Sequence, residues 1–109
     1  MEVEISVVDV ARFIAAGQSP FILDVREPAE FTGPLGHAPG AMNVPMGQVP
    51  TCLPELEPHR SGTCYIICLS GGRSGMVAQY LRDQGFSDVC NVTGGMKAWN
   101  AAGLPCVRL

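Results

Sequence analysis

The chain has 109 residues, a mean hydropathy of +0.21, a hydrophobic content of 47% and a net charge of −3. These values suit a single α/β domain over residues 1–109, and no apolar run approaches the roughly 18 to 20 residues of a membrane span. The seven basic residues are scattered singly, which argues against a nucleic-acid-binding protein.

The first quarter of the chain predicts a helix followed by a short strand. Ser6 and Asp9 form a capping-box pattern that opens the helix, and Gly17 ends it. The apolar run at residues 21–23 predicts a strand. Asp24 then falls at the carboxyl end of this strand.

The middle of the chain predicts two strands with an irregular segment between them. Residues 42–44 are a candidate for the first, short strand. Three prolines between residues 46 and 62 allow only a broken or short helix there. Residues 64–67 are apolar without alternation, which is typical of a central parallel strand buried on both faces.

The last third of the chain predicts a helix, a strand and a second helix. Apolar side chains at i, i+4 spacing indicate a helix over residues 74–84 that Gly85 ends. Residues 89–92 indicate a strand, and residues 96–102 a helix that Gly103 closes. The alternation predicts an α/β fold with a parallel central sheet and helices on both faces, with the functional crevice at the carboxyl ends of the strands.

Cys68 is the strongest candidate for a reactive group. It follows the predicted central strand and precedes Gly71, Gly72, Arg73 and the start of a helix. Backbone amides of such a loop can converge on an anion, and the positive end of the helix adds to the field. We therefore expect the pKa of Cys68 to lie below the free value of about 8.5. Free cysteines are more often buried structural residues, but the combination found here favours a nucleophile.

The length of the loop indicates what it could hold. Four residues separate Cys68 from Arg73, and they are Leu69, Ser70, Gly71 and Gly72. Loops of the tyrosine-phosphatase type have one residue more between cysteine and arginine. The shorter ring is better suited to a single extra sulfur atom than to a tetrahedral phosphate.

With this spacing the loop resembles the Cys-x-x-Gly-x-Arg loop of the rhodanese family, the single-domain sulfurtransferases. The chain also has segments similar to the family's Asp-x-Arg, Gly-His-x-Pro-Gly-Ala and Gly-Gly…Trp blocks. They occur in the family's order at residues 23–31, 36–45 and 94–105. The resemblance implies one rhodanese-like domain that moves sulfane sulfur from thiosulfate or a persulfide to cyanide or a thiol, with a protein as a further acceptor.

Two features depart from the family's pattern. Four residues, at positions 32–35, lie where many relatives have about two, a loop insertion that costs little entropy. Leu69 stands where well-known thiosulfate-using members often carry a basic residue. The second departure leaves the sulfur donor open, although it does not affect the type of reaction.

The resemblance also implies a role for each residue of the loop. Cys68 would attack the outer sulfur of a donor and carry it as a persulfide. The amides of residues 69–73 would stabilise the persulfide anion, and Gly71 and Gly72 would supply the positive φ angles of the ring. Leu69, Ser70, Gly71, Gly72 and Arg73 are therefore the predicted substrate-binding residues.

Supporting roles are predicted for residues next to the loop. Arg73 could bind an anionic donor or hold the carbonyl groups of the loop. Ser74 is predicted to be the N-cap of the following helix and could add its hydroxyl to the site. By resemblance, Asp24 and Arg26 form a buried ion-pair or hydrogen-bond scaffold with Glu30.

The cysteine and histidine pattern indicates no metal site and no cofactor. The chain has five cysteines, an odd number, and contains no Cys-x2-Cys pair. A nucleophilic thiol needs a reducing compartment, and residues 1–4 do not have the pattern of a secretory signal. We therefore expect a cytoplasmic protein with no disulfide framework and no membrane or nucleic acid partner.

Two other functions fit parts of the pattern. A cysteine-dependent phosphatase or arsenate reductase could use the same fold, but its loop would have five intervening residues. A non-catalytic rhodanese-like regulatory module could also have this fold. The intact Cys68 with its Gly-Gly-Arg sequence counts against that second alternative.

Overall fold

The structure is a computed structural model that describes residues 3–108, and its centre is a parallel sheet of five strands in the order β1-β5-β4-β2-β3. All four neighbouring pairs are parallel. The strands are β1 (Glu4–Ser6), β2 (Phe21–Asp24), β3 (Met42–Asn43), β4 (Thr63–Ile67) and β5 (Asp88–Thr93). The predicted parallel sheet is confirmed, with β4 at its centre.

The helices connect these strands and cover both faces of the sheet, as predicted. They are α1 (Val7–Ala15), α2 (Pro28–Phe31), α3 (Leu53–Leu56), α4 (Gly72–Asp83) and α5 (Gly95–Ala101). Two 3₁₀ turns, Met46–Gln48 and Glu57–His59, flank α3 and account for the broken helix predicted between residues 46 and 62. No helix among residues 3–108 is long and apolar enough to cross a membrane.

Two hydrophobic clusters hold the layers together. On one face, α1 and α5 pack on the sheet through a cluster whose buried members are Val7, Val10, Ile22, Ala38, Ile67, Val92, Met96 and Trp99. On the other, α3 and α4 pack through a cluster that includes Leu23, Val49, Leu56, Ile66, Val77, Ala78, Leu81 and Val89. Ile66 and Ile67 belong to different clusters, so β4 is buried on both faces. This explains its apolar sequence without alternation.

Local sequence signals account for the start of α1 and for the position of α4. The Ser6 hydroxyl accepts a hydrogen bond from the Asp9 amide at 3.1 Å, which satisfies one free N–H of the first turn. The helix α4 begins at Gly72, two residues before the predicted start, because Gly71 is its N-cap.

The sequence did not predict β1 or α2. Residues Glu4 and Ser6 of β1 are exposed, so this edge strand has no apolar pattern, and it forms by pairing with β5. The helix α2 is a single turn, and the reciprocal capping box of Glu27 and Glu30 caps its amino end. Both elements depend on contacts that hydrophobic periodicity does not report.

Candidate active site

The carboxyl ends of β2 and β4 bring two of the predicted site segments side by side. Asp24 is paired with Ile67 in the register of these strands, and Cys68 directly follows Ile67. The Val25 amide continues the pairing by donating to the Ile67 carbonyl at 3.0 Å. The loop of Cys68 therefore starts at the sheet edge where ligands of parallel α/β folds bind.

The sulfur of Cys68 accepts hydrogen bonds from the loop that follows it. The Gly71 amide donates to Sγ at 3.1 Å, and the Ser74 hydroxyl lies 3.2 Å from the same atom. Cys68 itself is only 1% exposed. The arrangement resembles an anion hole, because the donors of the loop and the amino end of α4 meet at one atom.

Opposing effects act on the pKa of Cys68, and the net shift is downward. Burial raises the pKa of this thiol, whereas the Ser74 hydroxyl and the amides of Ser74, Gly71 and Ser70 lower it below the ordinary value. Cys64, on the strand that precedes Cys68, shows the contrasting case. Burial, with a smaller effect of Asp88, raises the pKa of Cys64 to about 11. Of these two thiols, Cys68 is the one whose surroundings favour the thiolate.

Only one of the two loop glycines needs the left-handed conformation predicted for both. Gly71 has φ +110°, which an L side chain rarely adopts. Gly72 has no positive φ and is the first residue of α4. The prediction for Gly72 is wrong, because helical geometry has already begun at that residue.

Ser74 is not the N-cap of the helix, which corrects the prediction from the sequence. Gly71 occupies that position, and Ser74 lies within the first turn of α4 with no exposed surface. Its hydroxyl lies 2.6 Å from Oδ1 of Asn91 and 3.2 Å from Sγ of Cys68. A hydroxyl has one proton, so these two acceptors share a single donor.

Asn91 is a site residue that the sequence analysis missed. It lies on β5, is 4% exposed, and its Nδ2 donates to the Gly71 carbonyl at 3.2 Å. Asn91 thereby holds the loop from a neighbouring strand, since its Nδ2 contacts Gly71 and its Oδ1 contacts Ser74. A polar residue inside the apolar strand of residues 89–92 was the available signal, because a buried amide requires partners.

Arg73 is paired with a carboxylate, a contact that neither of its two predicted roles included. Its guanidinium forms a bidentate ion pair with the Glu30 carboxylate, with N–O distances of 2.7 and 2.9 Å. The hydrogen bond from Arg73 is the main cause that lowers the pKa of Glu30 to about 2. The positive charge next to the loop is therefore already paired with a carboxylate 43 residues earlier in the chain.

Asp24 and Arg26 form the buried ion pair that the resemblance implied. Nη2 of Arg26 lies 2.8 Å from Oδ2 of Asp24, and both residues are at most 1% exposed. The same guanidinium donates to the carbonyl groups of Gly36 at 2.8 Å and Glu30 at 3.1 Å. Glu30 thus contacts Arg26 through its backbone carbonyl, while its carboxylate pairs with Arg73.

The amino end of α5 holds the first residues of the Cys68 loop by hydrogen bonds. The amides of Met96 and Lys97 donate to the carbonyl groups of Cys68 at 2.8 Å and Leu69 at 3.0 Å. Gly95 lets the two segments approach, because a Cβ on this residue would lie 2.6 Å from the carbonyl of Leu69. Leu69 is half-buried and Ser70 is exposed, so these two residues form the outer part of the loop.

The model of the rhodanese-like domain family matches residues 6–102, a range that includes the Cys68 loop and all of its supports. The chain belongs to the rhodanese-like family. This confirms the resemblance that the sequence motifs carried.

Relatives of this rhodanese-like domain include proteins named as sulfurtransferases. A sulfurtransferase of Allochromatium vinosum is 35% identical over 104 residues, which cover 95% of this chain and 94% of the relative. Thiosulfate sulfurtransferase 16, chloroplastic, of Arabidopsis thaliana is 40% identical over 93 residues, which cover 76% of each chain. The Bacillus subtilis protein YrkF is 40% identical over 96 residues, 88% of this chain, but the match spans only 50% of YrkF.

Solved structures of rhodanese-like domains have the same fold. The rhodanese-like domain protein of Staphylococcus aureus superimposes with a TM-score of 0.82 at 32% identity, covering 98% of this chain and 99% of that one. The rhodanese-like domain of the Anabaena protein Alr3790 gives a TM-score of 0.85 at 28% identity, covering 100% and 81%. The parallel sheet with helices on both faces is thus the fold of the family.

Proposed function

We propose that this rhodanese-like domain is a sulfurtransferase that carries sulfane sulfur as a persulfide on Cys68. The donor is thiosulfate or a persulfide, and the acceptor is cyanide or a thiol, including a thiol of a protein. The main support is the geometry at Sγ of Cys68, which has the Gly71 amide at 3.1 Å and the Ser74 hydroxyl at 3.2 Å. The names of the relatives support the same class of reaction.

The proposed reaction has two displacement steps at sulfur. In the first, the Cys68 thiolate attacks the outer sulfur of the donor and forms a new S–S bond. The bond from that sulfur to the donor breaks, and its electron pair leaves with the remainder of the donor. In the second step the acceptor attacks the outer sulfur of the persulfide, and Cys68 leaves as a thiolate. No general base is required, because the hydrogen bonds of the loop already favour the thiolate.

The small exposure of Cys68 supports transfer of a single terminal atom. Because the residue is only 1% exposed, a donor has to present a narrow end to Sγ. A terminal sulfur meets this condition better than the centre of a tetrahedral phosphate, whose oxygens would contact the loop first. The low exposure of Cys68 therefore favours sulfur transfer over phosphate hydrolysis.

The thiolate has to remain reduced for this chemistry, so we also propose a cytoplasmic location. All five cysteines are free thiols in the structure, and those of Cys64 and Cys90 have pKa values that burial raises. We expect neither of these two buried thiols to carry the transferred sulfur.

The proposal is tested by intact-protein mass spectrometry after exposure to thiosulfate and, separately, to glutathione persulfide. We expect native protein to gain the mass of one sulfur atom from at least one donor, and to lose it again on addition of cyanide. The variant Cys68→Ala should gain none, whereas the control Cys52→Ala should load like the native protein. Loading of Cys68→Ala, or no loading of native protein by either donor, would refute the mechanism.

A further inference from the structure

A small recess of about 120 Å³ lies beside the Cys68 loop. Its lining residues are Arg26, Glu30, Pro34, Leu35 and Leu69. Leu69 directly follows the nucleophile, and Glu30 is bonded to Arg73 at the other end of the loop. The recess therefore borders the outer part of the loop that contains Cys68.

The two charged residues of the lining leave no free charge in the recess. The guanidinium of Arg26 is buried and bonds to Asp24 at 2.8 Å. The carboxylate of Glu30 bonds to both terminal nitrogens of Arg73 at 2.7 and 2.9 Å. With these charges paired, most of the accessible lining is apolar. The recess is thus suited to a carbon chain rather than to an anion.

The segment that contributes Pro34 and Leu35 is held in place by its own backbone. The Leu35 carbonyl accepts from Nδ2 of Asn100 at 3.1 Å, and the Pro34 carbonyl accepts from Nε of Arg108 at 3.0 Å. A turn between Gly36 N–H and the Gly33 carbonyl, at 2.9 Å, closes the segment. The recess is therefore preformed, and a ligand does not have to order this segment on binding.

We infer that this recess binds the carbon chain of an organic persulfide, which makes small alkyl persulfides better donors than inorganic ones, hydrodisulfide as well as thiosulfate. This inference rests on the proposed sulfur transfer and adds to it the chemical class of the donor. A volume of about 120 Å³ accommodates about four groups of the size of water, which matches a propyl chain with its sulfur.

The reaction with an alkyl persulfide, R–S–SH, is balanced without a further reactant. The Cys68 thiolate bonds to the terminal sulfur, the S–S bond of the donor breaks, and R–S⁻ leaves with the electron pair. The proton of the donor stays on the transferred sulfur. The leaving R–S⁻ group is then the part of the donor that the recess positions.

Thiosulfate fits the same surroundings poorly. It carries two negative charges, and the nearby guanidinium of Arg73 is already bonded to Glu30. Binding of the dianion would either break this ion pair or leave the charge against the apolar side chains of Leu35 and Leu69. Both alternatives cost free energy that an alkyl chain does not incur.

The test compares two donors of equal charge that differ only in carbon content. We would measure the rate of sulfur loading on Cys68 from n-propyl persulfide and from inorganic hydrodisulfide, each divided by its rate with free glutathione. For native protein we expect this corrected ratio, propyl to inorganic, to exceed five. The nearly isosteric, uncharged variant Leu35→Asn should lower the ratio at least fivefold. The same substitution at half-buried Leu53, which packs against the core away from the recess, should keep it.

The expected results differ for the inference and for the function on which it rests. An unchanged ratio in Leu35→Asn would overturn the inference, while loading of the native protein would still support sulfur transfer. If Leu35→Asn fails to fold, Leu35→Ala provides the same ratio, with the same expected fall. No loading from either donor in the native protein would refute the proposed function, and the inference with it.

Discussion

At Cys68, the protonation of one sulfur atom depends on a few short contacts. Burial alone would keep the thiol protonated, as it does for Cys64, where burial raises the pKa to about 11. At Cys68 the Ser74 hydroxyl and three backbone amides offset the burial, and the pKa falls below its ordinary value. The opposite pKa shifts of Cys64 and Cys68 therefore arise from the hydrogen bonds that the Cys68 sulfur accepts.

The first prediction concerns the pH dependence of this thiolate. Because the pKa of Cys68 is lowered, the rate of its alkylation by iodoacetamide should rise with pH to a midpoint below the free-thiol value of about 8.5. The variant Ser74→Ala removes a hydroxyl that lowers the pKa of Cys68, so its midpoint should be higher. A hydrogen bond to a charged group is worth about 1.5 to 3 kcal/mol, so sulfur loading at pH 7 should fall by about tenfold or more.

The matched control is Ser70→Ala, because Ser70 acts on the sulfur through its backbone amide, which the substitution retains. Its alkylation midpoint should equal that of the native protein. A native midpoint at or above about 8.5 would show that the loop does not stabilise the thiolate. An equal midpoint in Ser74→Ala would show that the hydroxyl donates to Asn91 and not to Cys68.

Among the secondary-structure elements, α5 holds the first two residues of the Cys68 loop. Its first amides bind the carbonyl groups of Cys68 and Leu69, and Gly95 allows the approach. This contact explains the glycine at position 95, which is remote in sequence from Cys68. Gly94 is the left-handed N-cap of α5, with φ +79°, and Gly95 is the residue that touches the loop.

The second prediction separates steric contact from backbone strain at this element. Gly95→Ala introduces a Cβ that would lie 2.6 Å from the Leu69 carbonyl, so the loop has to shift. Since catalysis is sensitive to shifts of about 1 Å, sulfur loading should fall at least about tenfold. Gly103→Ala provides the control, because Gly103 has a similar φ of +68° but no atom within 4 Å of its Cβ position. That variant should lose about 1 kcal/mol of stability and retain the native loading rate.

Loading rates from mass spectrometry and unfolding curves in urea would be measured on both variants. Equal losses of loading in the two variants would mean that left-handed strain, and not contact with the loop, is the reason for glycine at position 95.

For the whole molecule, the Asp24–Arg26 pair connects the sheet to the segment that lies over its carboxyl edge. Asp24 ends β2, while Arg26 binds the carbonyl groups of Glu30 and Gly36. Asn43 adds two bonds from β3, to the carbonyl groups of Asp24 at 3.0 Å and Arg26 at 2.9 Å. These contacts hold residues 24–36 in one arrangement, and the recess next to Leu69 depends on it.

The third prediction is that this pair stabilises the fold far more than an exposed pair does. Asp24→Asn leaves a buried guanidinium without its counter-charge, which should cost about 3 to 5 kcal/mol in the free energy of unfolding. The control Asp9→Asn removes the partner of Arg12 in an exposed pair and should cost less than about 1 kcal/mol. Urea unfolding followed by circular dichroism measures both values. Similar losses in the two variants would contradict a structural role for Asp24.

Features that depend on neighbouring residues could be predicted from the amino-acid sequence. The capped start of α1, the apolar strands β2 and β4, and the position of Cys68 after β4 all follow from hydrophobic pattern, turn residues and short-range hydrogen bonds. The same local information, read as ordered motifs, was sufficient to identify the family.

Contacts that join distant segments became visible only in the folded chain. The edge strand β1 needs β5, the charge of Arg73 is paired with Glu30, and Asn91 reaches the loop from another strand. Serine is a common N-cap residue, but Ser74 is buried within α4, and its hydroxyl lies within hydrogen-bond distance of both Asn91 and Cys68. The physical reason is that packing sets these partners: the free energy of a buried charge or polar group depends on what lies within about 3 Å of it, and residue spacing along the chain does not report that distance.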